Sequence, residues 1–223
     1  MHKQGMNEAA PVRVDLGAVA YPTAQVDMAR WVAERQQDLA PDRLFLLTHP
    51  PVITYSARTP IADLPDPESP IPLVEVDRGG HATYHGPGQL IGYLIVNLRA
   101  LGAGDLVRRV ENGLLAALDT LGFPAIRRET PAGASSLVGI WTPDHRKLAS
   151  IGMRIRRGVS SHGFALNIDP DLSAFTTFTA CALPDTTMTS LAELAAETGR
   201  ATPPESAVRD AVAAALTKEL TRR

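Results

Sequence analysis

Arg78-Gly79-Gly80-His81-Ala82-Thr83-Tyr84-His85-Gly86-Pro87-Gly88-Gln89-Leu90-Ile91-Gly92-Tyr93 leads without a break into the apolar run Leu94-Ile95-Val96-Asn97-Leu98. Its first sixteen residues hold five glycines, two histidines and an arginine. Glycine opens left-handed turns and lets backbone approach a neighbour closely, at an entropic cost that an ordinary element interior tolerates poorly. The stretch therefore reads as a loop shaped around a ligand and followed by a strand. A glycine-rich hairpin without a ligand is the alternative reading of the same residues.

Towards the N-terminus, Val12-Arg13-Val14-Asp15-Leu16 alternates as a half-buried strand does. After Pro22-Thr23, Val26, Ala29, Val32 and Ala33 recur at helical spacing to about Leu39. Leu44-Phe45-Leu46-Leu47 is wholly apolar, the pattern of a central strand covered on both faces. Residues 61–72, rich in proline and acid, read as a surface loop. Downstream, Val107, Val110, Leu114, Leu118 and Leu121 mark an amphipathic helix over 105–121, stopped by Gly122 and Pro124. Strand-like pieces follow at 137–141, 147–155 and 159–168. The turn signals Pro143-Asp144 and Arg157-Gly158 between them predict an antiparallel meander. Ser190 with Glu193 writes a capping box for a short helix ending near Gly199. Pro203-Pro204 opens a last helix with Val208, Val212, Ala215 and Leu216 on one face. This mixture predicts the α+β class, with a disordered N-terminus over residues 1–10 and one domain over 11–223.

Composition narrows the function. In 223 residues, 44 % are apolar, enough for a sizeable core. The net charge is −2 and basic residues form no long run, which argues against a nucleic-acid or membrane-surface partner. Arg154-Ile155-Arg156-Arg157 is a local basic cluster, read either as a solvated strand-turn face or as a place for an acidic partner. A single cysteine excludes an intramolecular disulfide and fits a reducing compartment. The first residues lack the apolar core of a signal peptide, and no apolar run approaches a membrane span. The expected location is the cytoplasm.

Cys181 is a candidate nucleophile for acyl transfer, because a thiolate attacks a thioester carbonyl readily. A free thiol is mostly protonated at neutral pH, so such a cysteine needs a nearby cation or base. Lys147 can supply it, but nothing in the spacing brings the two together. Without further evidence Cys181 is a small buried hydrophobe and Lys147 a solvated residue after a turn. His81 and His85 stand four apart, a metal-binding spacing on a helix. The flanking glycines argue against a helix there, and no neighbouring carboxylate completes a ligand set, so no metal is expected.

The glycine-rich stretch, Lys147-Leu148-Ala149-Ser150-Ile151-Gly152, His162-Gly163-Phe164-Ala165-Leu166-Asn167-Ile168 and Cys181, in this order, resemble the octanoyl-acyl-carrier-protein:protein N-octanoyltransferases, also called lipoate-protein ligase B. The resemblance runs from about Tyr21 to Leu194. It implies the biotin and lipoate protein ligase fold, a mixed sheet with flanking helices lining a tunnel for an acyl chain. It implies that Cys181 carries the acyl thioester and that Lys147 promotes ionisation of its thiol. Substrate would bind Arg78, Gly79, Gly80, His81, Ala82, Thr83, Tyr84 and His85, together with Ser150, Ile151, Gly152, Gly163, Phe164 and Ala165. His162 would orient backbone or substrate, and the Gly152 and Gly163 N–H groups are candidates to face the carbonyl. No cofactor is implied. The implied partners are octanoyl-acyl carrier protein as donor and, as acceptors, the lipoyl domains of 2-oxoacid dehydrogenase E2 subunits and glycine cleavage H protein.

Two positions depart from the family pattern. Ala180-Cys181-Ala182-Leu183 stands where Pro-Cys-Gly-Ile is common, and Ala57 replaces a glycine in the segment His49 to Arg58. The first change restricts the backbone beside the nucleophile. Two rival functions remain: an ATP-dependent lipoate or octanoate ligase on the same fold, and a non-enzymatic carrier-binding protein. The chain has no P-loop, and Gly86-Pro87-Gly88-Gln89 follows the loop where a ligase-like Asp-x-Gly-Asn would stand.

Overall fold

The computed structural model describes residues 9–98 and 101–222. The expectation of disorder over residues 1–10 falls mainly on residues outside those described. The chain is α+β. Its larger sheet has six strands: β1 (Val12–Ala18), β2 (Arg43–Thr48), β6 (Gln89–Ile95), β9 (Val159–Asn167), β8 (Lys147–Arg156) and β7 (Gly139–Trp141), in that spatial order. β1 and β2 are parallel, and the other pairs are antiparallel, so the meander predicted from the turn signals is present in β7, β8 and β9. A second sheet holds β3 (Val52–Tyr55) between β4 (Leu73–Glu75) and β5 (Thr83–His85). These three short strands were not legible in the sequence, because proline and glycine interrupt the periodicity on either side.

The larger sheet is covered on both faces, which is why residues 44–47 of β2 and 90–95 of β6 are buried on both sides. Leu44, Leu46, Leu90 and Leu94 face a core shared with α2 (Ala103–Thr120) and α4 (Glu205–Thr221). Phe45, Leu47, Ile91, Tyr93 and Ile95 face α1 (Tyr21–Gln36). α2 and α4 meet through Leu106, Val110, Leu114 and Leu118 on one side and Val208, Val212 and Leu216 on the other, while Val107, Leu121 and Ala215 of the expected stripes are only partly buried. Ser190 caps α3 (Leu191–Glu197) by accepting from the Glu193 N–H at 3.2 Å, while the Glu193 carboxylate takes the Thr189 hydroxyl at 2.9 Å. On α1 the buried face differs from the expected one. Ala24, Met28 and Trp31 pack inward, with Trp31 stacked on Phe45 at 3.7 Å, whereas Val26 is 72 % exposed. Trp31 buries more apolar surface than a valine stripe does, so the aromatic residue sets the helix rotation.

The small sheet carries a third core cluster. Ile53, Ala82 and Tyr84 pack with Phe175 and Phe178 from and beside a 3₁₀ segment at Leu172–Thr177. Between the two sheets lies a polar seam. The His49 Nδ1–H donates to the Val19 carbonyl at 2.6 Å, which fixes its tautomer and lets Nε2 accept the Tyr93 hydroxyl at 2.6 Å. His85 stacks parallel to Tyr21 at 6.1 Å, and His162 meets Tyr93 edge-on at 6.1 Å. Among the described residues no helix is long and apolar enough to cross a membrane.

Burial lowers the proton affinity of all three histidines: His49 below its ordinary value, His85 well below the ordinary 6.5, and His162 to about 3, with neighbouring cationic groups adding at His85 and His162. The unfolded chain takes up protons on these rings near pH 6.5. Between about pH 6.5 and about pH 3 the unfolded state therefore binds more protons, and stability falls as pH falls. Urea denaturation is expected to show a loss of stability from about pH 7 to about pH 5 in the native protein, and a smaller loss in His162→Asn. Asparagine tolerates the positive φ of 57° at this position. Equal losses in the two proteins would mean that His162 is already charged in the folded state.

Candidate active site

Cys181 sits in a short 3₁₀ turn, Ala180–Ala182, that follows Phe178 out of the small-sheet core. Its N–H donates to the Ala82 carbonyl at 2.8 Å, tying the segment to the glycine-rich loop. Cys181 and Ala182 both take left-handed backbone, with φ of 58° and 54°. That conformation costs a non-glycine residue roughly 1–2 kcal/mol. The departure from the family pattern at Ala182 thus falls where a glycine would be relaxed.

The loop reaches the same place from the other side. Arg78 donates through Nη1 to the Gly79 and His81 carbonyls at 2.9 and 3.0 Å, and through Nη2 to the Thr54 carbonyl and hydroxyl at 3.0 and 2.8 Å. Among the described residues no carboxylate pairs with it. Burial works against its charge, and ionised forms of Tyr21, Cys181 and Tyr93 would favour it. The Gly79 N–H donates to the Met153 carbonyl at 2.9 Å, and a Cβ on Gly152 would lie 2.7 Å from the Gly79 oxygen. Only glycine on β8 allows the loop this close.

A pocket opens between these parts. Arg78, Gly80, His81, Thr83 and His85 from the loop line one side, with Cys181. Ser150, Ile151 and Gly152 from β8 and Gly163, Phe164 and Ala165 from β9 line the other. Gly152 and Gly163 are direct cross-strand partners, and a Cβ on Gly163 would lie 2.1 Å from the Gly92 carbonyl oxygen on β6. Missing side chains across three adjacent strands form the floor. The Ser150 hydroxyl lies 3.7 Å from Cys181 Sγ. His81 Nδ1 and Thr83 Oγ1 are buried without a hydrogen-bond partner among the described residues, so the loop wall offers polar atoms while Ile151, Phe164 and Ala165 offer an apolar surface.

Some expected residues stand behind the wall. Tyr84 alternates away from Thr83 and His85 on β5 and meets Phe175 edge-on at 5.5 Å in the core. Ala82 is fully buried and contributes its carbonyl to Cys181, and Gly79 contributes its contact with β8. Lys147 is 1 % exposed. Its Nζ donates to the Val138 carbonyl at 3.2 Å and lies 4.8 Å from the Trp141 ring centre, in space left by Gly139. It is not hydrogen-bonded to Cys181. Ser150, whose hydroxyl lies near Sγ, pairs across the strands with Gly139, against which Lys147 packs. Sequence reasoning missed Tyr21, Ile91 and Tyr93 as wall residues. Tyr21 and Tyr93 carry no local signal of their role, because each looks like an ordinary core aromatic. The arrangement is suited to accepting an acyl group: a thiol, a hydroxyl beside it, a desolvated cation on the same pocket and an apolar wall. Among the described residues no group of three or more metal-ligating side chains occurs.

Residues 22–217 match the family model of the lipoyl protein ligase A/B catalytic domain. An octanoyltransferase from Frankia casuarinae is 43 % identical over 187 residues, covering 83 % of this chain and 85 % of that protein. In overall fold the chain is similar to the bipartite lipoate protein ligase of Thermoplasma acidophilum, with a TM-score of 0.71 at 15 % identity over 95 % of this chain and 84 % of that one. It is more distantly similar to the biotin protein ligase of Leishmania major, with a TM-score of 0.53 at 13 % identity, over 94 % and 74 % of the two chains. A family match across most of the length, joined to 43 % identity with a curated relative, makes this chain a member of the octanoyltransferases within the lipoyl protein ligase A/B catalytic-domain family.

Proposed function

We propose that residues 11–223 act as one catalytic domain, in the cytoplasm, that moves an octanoyl group from octanoyl-acyl carrier protein to Cys181 and then to a lysine of a lipoyl domain. The acceptors are the lipoyl domains of 2-oxoacid dehydrogenase E2 subunits and glycine cleavage H protein. The observation that carries the reading is the thiol of Cys181 opening on a pocket with one apolar wall and one wall of loop backbone and polar side chains.

In the first half, the Cys181 thiolate attacks the thioester carbonyl and the carrier's thiolate leaves. Lys147 gives that thiolate a proton and becomes neutral. In the second half, the acceptor amine attacks the Cys181 thioester, the amide forms and Cys181 leaves as a thiolate. The proton lost from the amine returns to Lys147, which restores the starting state. Lys147 acts here as an acid and base from β8, the strand that also carries Ser150, whose hydroxyl lies 3.7 Å from the sulfur. The donor thioester is already activated, so no nucleotide is needed.

Cys181→Ala is expected to abolish transfer and to leave no octanoyl adduct by intact mass, while the native protein forms one with octanoyl-acyl carrier protein and no ATP. Near-native turnover in the variant would sink the covalent route, and a strict need for ATP with free octanoate would make the protein a ligase.

Lys147→Ala should lower transfer by roughly a hundredfold or more, the usual contribution of a positioned acid–base group. Lys147→Arg should fail as well, because a guanidinium keeps its proton. Turnover close to native in either variant, followed by gel shift of the acceptor domain, would remove Lys147 from the proton cycle.

A further inference from the structure

The β8–β9 hairpin places Arg154, Arg156 and Arg157 within four residues, turning through Arg157-Gly158 with φ of 50° and 77°. α1 runs alongside, and the Gln36 side-chain amide donates to the Arg156 carbonyl at 2.8 Å. Between hairpin and helix lies a groove of about 410 Å³. Met28, Ala29 and Val32 make its helix wall, and the three arginines stand on the other side. The one acid in its lining, Asp77, pairs with Arg154. Among the described residues no carboxylate pairs with Arg156 or Arg157, so the groove presents two free positive charges on a chain whose net charge is −2.

The groove ends at His162, which also lines the pocket of Cys181. His162 holds a left-handed φ of 57° within β9, and its N–H lies 3.2 Å from the Met28 sulfur of the helix wall. Strained backbone at one residue shared by two concavities is a mark of a functional junction. Its ring is neutral at physiological pH, which leaves anion recognition to the guanidinium groups. The register pairs Met153 with His162 and Arg156 with Val159, so three residue steps separate the arginine end of the groove from the pocket, roughly 10 Å of strand.

We propose that this groove receives the phosphorylated prosthetic arm of the donor carrier domain, with the phosphodiester on Arg156 and Arg157, the amide chain along the α1 wall and the thioester delivered past His162 to Cys181. The inference rests on the reading of Cys181 as thioester acceptor. Guanidinium forks match phosphate oxygens in pairs, and the donor arm carries such an anion on the flexible chain that ends in its thioester. The acceptor brings a lysine, a cation that two unpaired arginines repel, so the donor is the better fit of the two substrates.

The test compares the native protein with Arg156→Gln/Arg157→Asn, whose asparagine suits the left-handed turn. Cys181 acylation is followed by intact mass with three donors: octanoyl-acyl carrier protein, octanoyl-phosphopantetheine and octanoyl-pantetheine, which lacks the phosphate. The variant is expected to lose about tenfold or more in kcat/KM with both phosphorylated donors and to react with octanoyl-pantetheine at the native rate. That last rate also reports that the variant is folded. Equal rates with octanoyl-phosphopantetheine in the two proteins would overturn the assignment, whether or not the carrier protein itself reacts more slowly. So would a defect confined to transfer onto the acceptor domain, which would give the groove to the lipoyl domain. If the native protein forms no adduct with any donor, the proposed function fails instead, a result separate from any difference between the phosphorylated and unphosphorylated donors.

Discussion

Arg78 brings a positive charge into the interior without a counter-ion among the described residues, and four hydrogen bonds to Gly79, His81 and Thr54 hold it there. Three of the acceptors are backbone carbonyls, so the guanidinium shapes the chain rather than neutralising an acid. It fastens the loop to β3 through Thr54 and curls the loop so that the Ala82 carbonyl meets the Cys181 N–H. Each charge-assisted bond contributes about 1.5–3 kcal/mol, and together they counter part of the cost of burying the cation, which still lowers its proton affinity. The same charge faces the pocket in which a thiolate and then an oxyanion would form, where a fixed positive group is most useful.

The rest of the site follows from where side chains are missing. Gly152 and Gly163 pair across β8 and β9, and close contacts at both exclude a Cβ. The loop and β6 fill that space with backbone, leaving the pocket between Cys181 and the apolar residues Ile151, Phe164 and Ala165. The cysteine arrives on a separate segment, carried by Phe175 and Phe178 in the small-sheet core. Two sheets, each with its own apolar cluster, thus supply opposite walls of one site. The strain of two consecutive left-handed residues at Cys181 and Ala182 is held by those contacts and by the bond to Ala82.

Much of the larger sheet and the helices was legible in the sequence. Leu44–Leu47 read as a covered strand because both faces of β2 are buried, and the leucine and valine spacing of α2 and α4 appears as their contact. The α1 face was misread because small and β-branched residues formed a clean period while Trp31 and Met28, the larger apolar groups, occupied another. The small sheet escaped because its three- and four-residue strands are too short to carry a period. In the site, glycine density located the loop, but nothing local could tell that Tyr84 turns into the core while Thr83 and His85 face the pocket. The distance from Lys147 to Cys181 is likewise a tertiary property. The structure brings the lysine beside Gly139, with its ammonium on the Val138 carbonyl.

The fork geometry of Arg78, and not its charge alone, shapes the site around Cys181. Arg78→Lys keeps a cation but cannot reach both Thr54 and the loop carbonyls with a planar pair of donors. The rate of the proposed Cys181 acylation by octanoyl-acyl carrier protein, read by intact mass on the folded variant, is expected to fall by about tenfold or more. Acylation at the native rate in Arg78→Lys would show instead that a point charge at that position suffices.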